Sequence, residues 1–373
     1  MSGQSPADHS TLPSDPPRDE AGPGHGWVVI QFFLHAAAGV FSGRVLLLAA
    51  AALAVAELGA GGLGPSDAST RGAIALRPAA GAFAATGYRP IDAALAGQTR
   101  FWAAFVAPFA LAARADGGAG WLVLVGLWRL AAWSLFGVAI ARVAARHLTD
   151  NARPTAAESL RSSLQGWPRQ IGGPAVLLVL VAAVAGVLWL LGYAARVGAI
   201  EAATVLLFPV VIAIAAVGVV LAAGLAIGGP MMLVSHAVER PDGFDAVSVG
   251  FAYTLQRPIR LLAYWAQALV VGVVVGALLA AAMDWLDAAL GAWHAGRGEL
   301  APDAAGKPAD SPVAVWTYLL AWAPMVFHAA YFWFAATGVF LLMRRDIDEK
   351  QADEIYTEPT SSASSASPAA GEA

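Results

Sequence analysis

The sequence of 373 residues contains no cysteine. Disulfide bonds, thiolate nucleophiles and cysteine-based metal or iron–sulfur sites are therefore excluded. Lysine is rare, and no Gly-Lys-Ser or Gly-Lys-Thr sequence is present, which excludes a phosphate-binding P-loop. The His-Glu-x-x-His spacing of a zinc site is also absent. No metal ion or cofactor is predicted.

Charge is scarce as well. Charged residues make up 13% of the chain, against about a quarter in an ordinary soluble domain. The formal net charge of -4 comes with no concentrated basic face, so nucleic acid is not a predicted partner. Hydrophobic residues, in contrast, make up 58% of the chain, and the mean hydropathy is +0.63. This composition predicts a membrane protein.

Six apolar runs are long enough to cross about 30 Å of hydrocarbon as helices. The predicted spans are residues 45–63, 121–145, 174–193, 204–234, 261–286 and 316–343. The predicted fold class is all-α: a polytopic membrane bundle of about six transmembrane helices within residues 27–350, with cytoplasmic amphipathic helices. The segments 1–26 and 351–373 are predicted to be disordered, because they are rich in small and polar residues and have almost no large apolar side chain.

Arginines cluster in three connections, at residues 142–169, 240–260 and 344–350. An even number of spans puts all three clusters on one side. The positive-inside rule then places that side and both termini in the cytoplasm, and the protein in the bacterial cytoplasmic membrane.

Two apolar segments lie outside the predicted spans. Residues 64–120 become an extracytoplasmic loop, and its apolar piece from Phe101 to Phe109 predicts an interfacial or re-entrant helix. The mildly amphipathic stretch 27–41 fits either on or in the membrane.

A polar helix is predicted after span two. Thr155 and Glu158 have the spacing of a capping box, which opens a helix, and Pro168 is predicted to close it before span three begins.

A second polar helix is predicted after span four. Pro230 is expected to interrupt the apolar run. Apolar residues then recur at helical spacing from Phe244 until Arg257 and the proline that follows it. Asp242 or Asp245 is predicted to cap this helix, because a carboxylate satisfies free N–H groups at a helix start.

The order of these elements suggests an internal repeat. Span two, a polar helix and span three match span four, a polar helix and span five, which predicts a repeat about an axis along the membrane normal. Shared membrane composition is the alternative explanation.

Two pairs of small residues predict contact between spans four and five. Gly224 and Gly228 lie in span four, and Gly272 and Gly276 lie in span five. Such spacing lets helices approach closely.

Arg129, Glu57 and His328 form the candidate intramembrane polar site. Arg129 falls within span two, where a charge costs about 2.5–3.5 kcal/mol. Counting about 1.5 Å per residue puts Glu57 at a similar depth in span one, so Glu57 is the predicted partner. A structural ion pair is favoured over a substrate or proton site. His328, in span six, is predicted to pack there with a hydrogen bond to the backbone or to Tyr331.

Three short segments resemble a known group of proteins. They are Phe340-Leu-Leu-Met-Arg-Arg-Asp-Ile-Asp-Glu, Asp242-Gly-Phe-Asp-Ala-Val-Ser and Gln256-Arg-Pro. Together they resemble an uncharacterised family of multi-pass membrane proteins common in planctomycete-type bacteria. Residues 230–260 are also loosely similar to the membrane domain found beside some bacterial glycerophosphodiester phosphodiesterases. The resemblance implies a topology and carries over no active site.

No catalytic pattern emerges. Asp242-Gly-Phe-Asp-Ala begins like the phospho-alcohol transferase signature, but Val247 stands where that chemistry needs an arginine, and no further aspartate follows through Pro258. The predicted function is a non-catalytic membrane scaffold or partner subunit. Its predicted partners are membrane lipids and membrane proteins or a second copy of the chain. The alternatives are a transporter or channel for a small or lipidic solute, and a membrane-embedded lipid-modifying enzyme.

Overall fold

The computed structural model describes residues 24–63, 88–112, 119–149, 154–196, 208–296 and 312–349. This part of the chain is helical and contains no strand. The predicted disorder of residues 1–23 and 351–373 lies outside the described residues. Residues 24–26, predicted to belong to the disordered tail, instead open the first helix.

The helices are defined here in chain order. They are α1 (Gly24–Val40), α2 (Gly43–Leu63), α3 (Arg89–Ala112), α4 (Ala119–Thr149), α5 (Ala156–Ala194), α6 (Phe208–Ala223), α7 (Gly229–Val238), α8 (Gly243–Gln256), α9 (Pro258–Gly296) and α10 (Pro312–Asp348). A π-helical stretch, Gly224–Gly228, joins α6 to α7.

Five helical segments are long and apolar enough to cross a membrane. They are Gly120–Thr149, Ala156–Ala194, Phe208–Val238, Pro258–Leu290 and Trp322–Asp348. A bent pair, Val28–Val40 with Gly43–Gly59, meets the same criteria together, with 76° between its two parts. The predicted all-α polytopic bundle of about six spans is therefore confirmed. The stretch before span one is a packed helix, since Val29, Phe33 and Val40 are all buried.

Helix α10 is the centre of the bundle. In the most apolar 18-residue segment of its span, 89% of the residues are buried. The helices that pack against it are α1, α2, α3, α4, α7 and α9. The Trp333 ring lies 6.3 Å from that of Trp133 on α4, and Phe332 lies 5.0 Å from Phe101 on α3. These aromatic contacts bury large apolar areas and fix the helices around one core.

Helices α5 and α6 lie at the periphery. In the most apolar 18-residue segments of the spans Ala156–Ala194 and Phe208–Val238, which contain these helices, only 6% of the residues are buried. The two helices pack on each other, and an added Cβ at Gly218 of α6 would lie 2.9 Å from Val184 of α5. Gly186, halfway along the apolar part of α5, has open space around it. This pair is called the α5–α6 hairpin below.

The apolar piece from Phe101 to Phe109, predicted to be an interfacial or re-entrant helix, belongs to the longer helix α3, which is packed in the bundle. Its face at Ala94, Gln98 and Phe101 is buried against α9, α10 and α4. Gly97 permits this close approach, because a Cβ there would lie 2.1 Å from the His328 ring. Polar residues lowered the apolar signal of α3, but the small residues make it a packed member of the bundle.

The prediction that Pro168 ends a separate short helix is also wrong, since α5 runs continuously through it. The capping box of Thr155 and Glu158 at the start of α5 is confirmed. Side-chain bonds hold the helix on both sides of the proline: Trp167 Nε1 donates to Ser134 Oγ of α4 at 3.0 Å, and Gln170 Nε2 donates to the Ser163 carbonyl at 3.0 Å. These bonds offset the one backbone bond that proline removes.

Pro230 does not stop its helix either. The π-helical stretch lies directly before it, and the helical path continues to Val238. Proline clashes with the carbonyl four residues earlier in a regular α-helix. A turn with i to i+5 hydrogen bonds moves that carbonyl away, so the wider turn accommodates the ring.

The predicted contact of spans four and five through their glycines is wrong. An added Cβ at Gly224 would meet the Phe251 ring of α8 at 2.4 Å, so this glycine receives the amphipathic helix. Gly272 and Gly276 receive Tyr331 and His328 of α10. Small residues indicated close approach correctly, but spacing alone does not identify the partner helix.

The internal repeat stays a prediction. In the first unit the polar helix is continuous with the following span in α5, whereas in the second unit a break at Arg257 separates α8 from α9.

Candidate functional site

The predicted ion pair between spans one and two is present. Arg129 Nη2 of α4 lies 2.7 Å from Glu57 Oε1 of α2, and the side chains are 2% and 19% exposed, respectively. One residue earlier, Trp128 Nε1 donates to the Val55 carbonyl at 2.9 Å. Gly59 makes room for that indole, because a Cβ there would lie 1.8 Å from it. Two polar contacts therefore fix α2 against α4.

His328 lies elsewhere in the bundle, between α3 and α9. It is 3% exposed, and the glycines at 97 and 276 border its ring. Its Nδ1 has no hydrogen-bond partner among the described residues. The hydroxyl of Tyr331 donates instead to the Ala268 carbonyl at 2.6 Å. His328 is packed in the bundle as predicted, but its Nδ1 does not make the predicted hydrogen bond to the backbone or to Tyr331.

Gln98 is a buried polar residue that the sequence did not single out. It lies on α3, is 8% exposed, and its Nε2 has no partner in the described part of the chain. An added Cβ at Gly272 would lie 2.9 Å from that nitrogen and 2.4 Å from the Tyr331 ring. Gln98 therefore lies beside the same α9–α10 contact as His328. Gln98 could be found from the sequence only by recognising α3 as a buried helix.

The three predicted arginine clusters meet at one end of the bundle. Arg344 of α10 pairs with Glu239 after α7 at 2.8 Å, and Arg260 of α9 pairs with Asp346 of α10 at 3.0 Å. Arg44 of α2 donates to the carbonyl of residue 154 at 2.8 Å. We call this the arginine-rich end. Its ion pairs join the tips of the spans to each other.

Helix α8 is attached to this end through Tyr253. The Tyr253 hydroxyl donates to Asp348 Oδ2 at 2.6 Å. Burial raises the pKa of Tyr253, and the hydrogen bond to Asp348 raises it further, so the phenol stays protonated as the donor. The opposite face of α8 is open, with Phe244 77% and Leu255 62% exposed.

Two guanidinium groups meet at Ser162 of α5. Arg142 Nη1 of α4 and Arg240 Nη2 both donate to Ser162 Oγ, the second at 2.5 Å. Ser162 is 8% exposed. Arg240 has φ 55°, in the left-handed region, where the turn from α7 to α8 begins.

The predicted loop residues Asp242, Asp245 and Arg257 serve helix geometry and do not converge on a site. Asp242 is the N-cap of α8, and its side chain accepts from the backbone N–H groups of Phe244 and Asp245, both at 2.9 Å. Arg257 is the exposed C-cap at the other end of α8. Within the described ranges, no group of three or more His, Asp or Glu side chains is arranged to hold a metal ion.

Removing the Asp242 cap is expected to weaken α8. Asp242→Ala leaves two N–H groups without their acceptor, which costs about 1 kcal/mol of unfolding free energy. Amide hydrogen exchange should accelerate in the first turn of α8. Asp245→Ala, which removes a neighbouring carboxylate of the same charge, is the control. Equal effects of the two substitutions would contradict the capping role.

The fold and these polar contacts define the class: a multi-pass helical membrane protein with an intramembrane ion pair and an arginine-rich end. Comparison of the chain with protein-family models, with curated proteins and with solved structures finds no match.

Proposed function

We propose that the protein is a non-catalytic integral membrane scaffold or partner subunit. The observation that carries this proposal is the Glu57–Arg129 pair, because it uses the intramembrane arginine to hold two helices together. Arg129 is 1% exposed and its counter-ion lies on α2, so we assign the pair a structural role between α2 and α4. The exposed apolar face of the α5–α6 hairpin is the surface proposed to meet an apolar membrane-spanning segment of a partner protein.

The proposed orientation follows from the arginine-rich end. We place this end in the cytoplasm, and the protein in the bacterial cytoplasmic membrane, because positive residues are retained on that side. The contacts of Arg44, Arg240, Arg260 and Arg344 support a common side for these residues.

Cysteine accessibility tests the scaffold proposal, since the parent chain has no cysteine. Ala56→Cys and Ala132→Cys place small thiols in the buried surroundings of the pair, at positions that are 0% and 6% exposed. Membrane-impermeant thiol reagents, applied from either side, are expected to label neither. Ala288→Cys, at the exposed far end of α9, serves as the labelled control.

Ala185→Cys is the matched lipid-facing control, because it is exposed in the apolar part of α5 and borders no polar group. Labelling at positions 56 or 132, with none at 185, would reveal a wet path to the pair and contradict the scaffold proposal. Such a path would support transport instead.

A second candidate function, transport of a small polar solute, is favoured by the unpartnered Gln98 and His328. Each carries a buried polar nitrogen without a protein partner among the described residues. Leaving such a group dry costs about 1–3 kcal/mol. Water or a solute between α3, α9 and α10 would satisfy both groups, as in a hydrated path.

Replacing Gln98 or His328 with leucine distinguishes a site that holds water or a solute from a dry site. If water or a solute fills the site, Gln98→Leu and His328→Leu are expected to lower the free energy of unfolding, because a hydrogen-bonded group is lost. The measurement is denaturation in detergent, with the exposed Gln165→Leu as the control. A gain of about 1–3 kcal/mol from either buried substitution would mark a dry site and contradict the transport candidate.

A further inference from the structure

Helix α8 has two exposed sides of different character. Phe244 and Leu255 lie on the first side, about three turns apart, and both are exposed. Asp245 and Gln256 each follow one of them in the sequence, so they lie about 100° further round the helix, and they are exposed as well. The first side is therefore apolar and the second is polar. The remaining side is buried in the bundle.

The buried side of α8 contacts both the polar end and the apolar part of the bundle. Tyr253 donates to Asp348 at the arginine-rich end. Gly250 lies against Gly228, where an added Cβ would be 3.2 Å from the carbonyl oxygen of Gly250. Gly228 belongs to the apolar span Phe208–Val238. Helix α8 therefore lies at the boundary between the apolar part of this span and the arginine-rich end.

The apolar side of α8 adjoins the exposed apolar surface of α6. The Phe251 ring, at the edge of this side, lies against Gly224, where an added Cβ would be 2.4 Å away. In the last turns of α6 before that glycine, Val219 and Val220 are exposed. Exposed apolar side chains of a membrane-spanning helix face lipid chains, which are as apolar as leucine. The apolar side of α8 thus continues a lipid-facing surface.

The same side also continues onto α9, because only Arg257 separates the two helices. Ile259 and Leu262, in the first turns of α9, are 83% and 62% exposed. Further exposed apolar residues follow along this span to Leu278. An apolar surface therefore extends from both neighbouring spans onto α8, which is the position of a helix that lies in the membrane interface.

The charge at the end of α8 fits this position. Arg257 is the exposed C-cap of α8. A long arginine side chain can keep its apolar stem with the lipid chains while its guanidinium group reaches the headgroups. There it meets phosphate groups of opposite charge. Asp245 and Gln256 lie on the side of α8 that would remain in water.

We propose that the apolar side of α8 is a docking surface for phospholipid. Phe244, Phe251 and Leu255 lie among the acyl chains at the arginine-rich end, and the polar side of the helix faces water. An amphipathic helix of this kind immerses its apolar face by about 5–10 Å. Because Tyr253 ties α8 to Asp348, the lipid surface sets the level of α10 in the membrane. This role goes beyond the scaffold function.

The test uses the full chain in nanodiscs of phosphatidylcholine and phosphatidylglycerol, with one cysteine introduced at a time into the cysteine-free parent. Leu255→Cys and Gln256→Cys are the matched pair, since the two positions are adjacent and both are exposed. Each thiol carries a bimane label. Brominated acyl chains quench a label within the lipid, and iodide quenches a label in water. We expect the label at position 255 to be quenched by brominated lipid and shielded from iodide, and the label at position 256 to show the reverse.

Phe244→Cys and Asp245→Cys repeat the comparison at the other end of α8, and they decide the test if a variant of the first pair does not fold. Equal quenching of both members of a pair would overturn the proposal. Shielding of positions 244 and 255 from both quenchers would also overturn it, because protein, such as a second copy of the chain, would then cover this side. The readout is independent of the thiol labelling at positions 56 and 132, which tests the scaffold function.

Discussion

Glu57→Ala is expected to abolish most of the folded protein. The substitution leaves the buried guanidinium of Arg129 without its carboxylate. Removing one partner of a buried pair costs about 3–5 kcal/mol, which is a large part of the stability of a typical domain. The measurement is the yield of folded protein after membrane extraction, followed by resistance to denaturation.

The second half of this test is the double substitution. Glu57→Gln with Arg129→Gln removes both charges at once, so it is expected to recover much of the folded protein that either single substitution loses. Asp284→Asn, an exposed carboxylate on α9, is the control for loss of one negative charge. A double variant as damaged as the sum of the singles would mean that the two residues do not act as a pair.

Gly137→Ala is expected to be strongly damaging, although it adds only one methyl group to the core. Its Cβ would lie 2.3 Å from the indole of Trp333, which is 0% exposed and closely surrounded. Overpacking of this kind costs about 1–3 kcal/mol or more. The unfolding free energy in detergent, with tryptophan fluorescence as the probe, measures the effect.

Gly186→Ala is the matched control, because it makes the same change in the middle of a span that has open space around it. There the new methyl group meets nothing, and alanine is the better helix former by about 1 kcal/mol. We expect a neutral or stabilising effect in the isolated protein. Equal damage at both positions would show that the helix backbone, not the Trp333 contact, sets the cost.

The ion pair was predictable because its two residues carry strong local signals. A charge inside an apolar run demands a partner, and depth along two spans restricted the choice to Glu57. The same holds for the caps of α5 and α8, where the residue types at the helix start are decisive. These features depend on a few residues each, so the sequence reveals them.

The errors concern tertiary contacts. Pro168 is predicted to end a helix, but bonds from Trp167 and Gln170 keep α5 continuous. Pro230 is predicted to interrupt its apolar run, and the π-helical turn before it carries the helical path on to Val238. Gln98 was missed because α3 reads as too polar for a buried helix, although its small residues fit against α9 and α10. Local sequence patterns do not show which neighbouring helix supplies the contacts that stabilise a proline or a polar residue within a helix.

The central place of α10 has a consequence for the order of synthesis. The ribosome completes α1 to α9 before α10, yet the aromatic residues at Phe101 and Trp133 pack against it. In a nascent chain that has not reached residue 312, those rings lack the part of their packing that α10 supplies. The last described helix therefore completes the core, and a chain that stops before α10 lacks the helix around which the others pack.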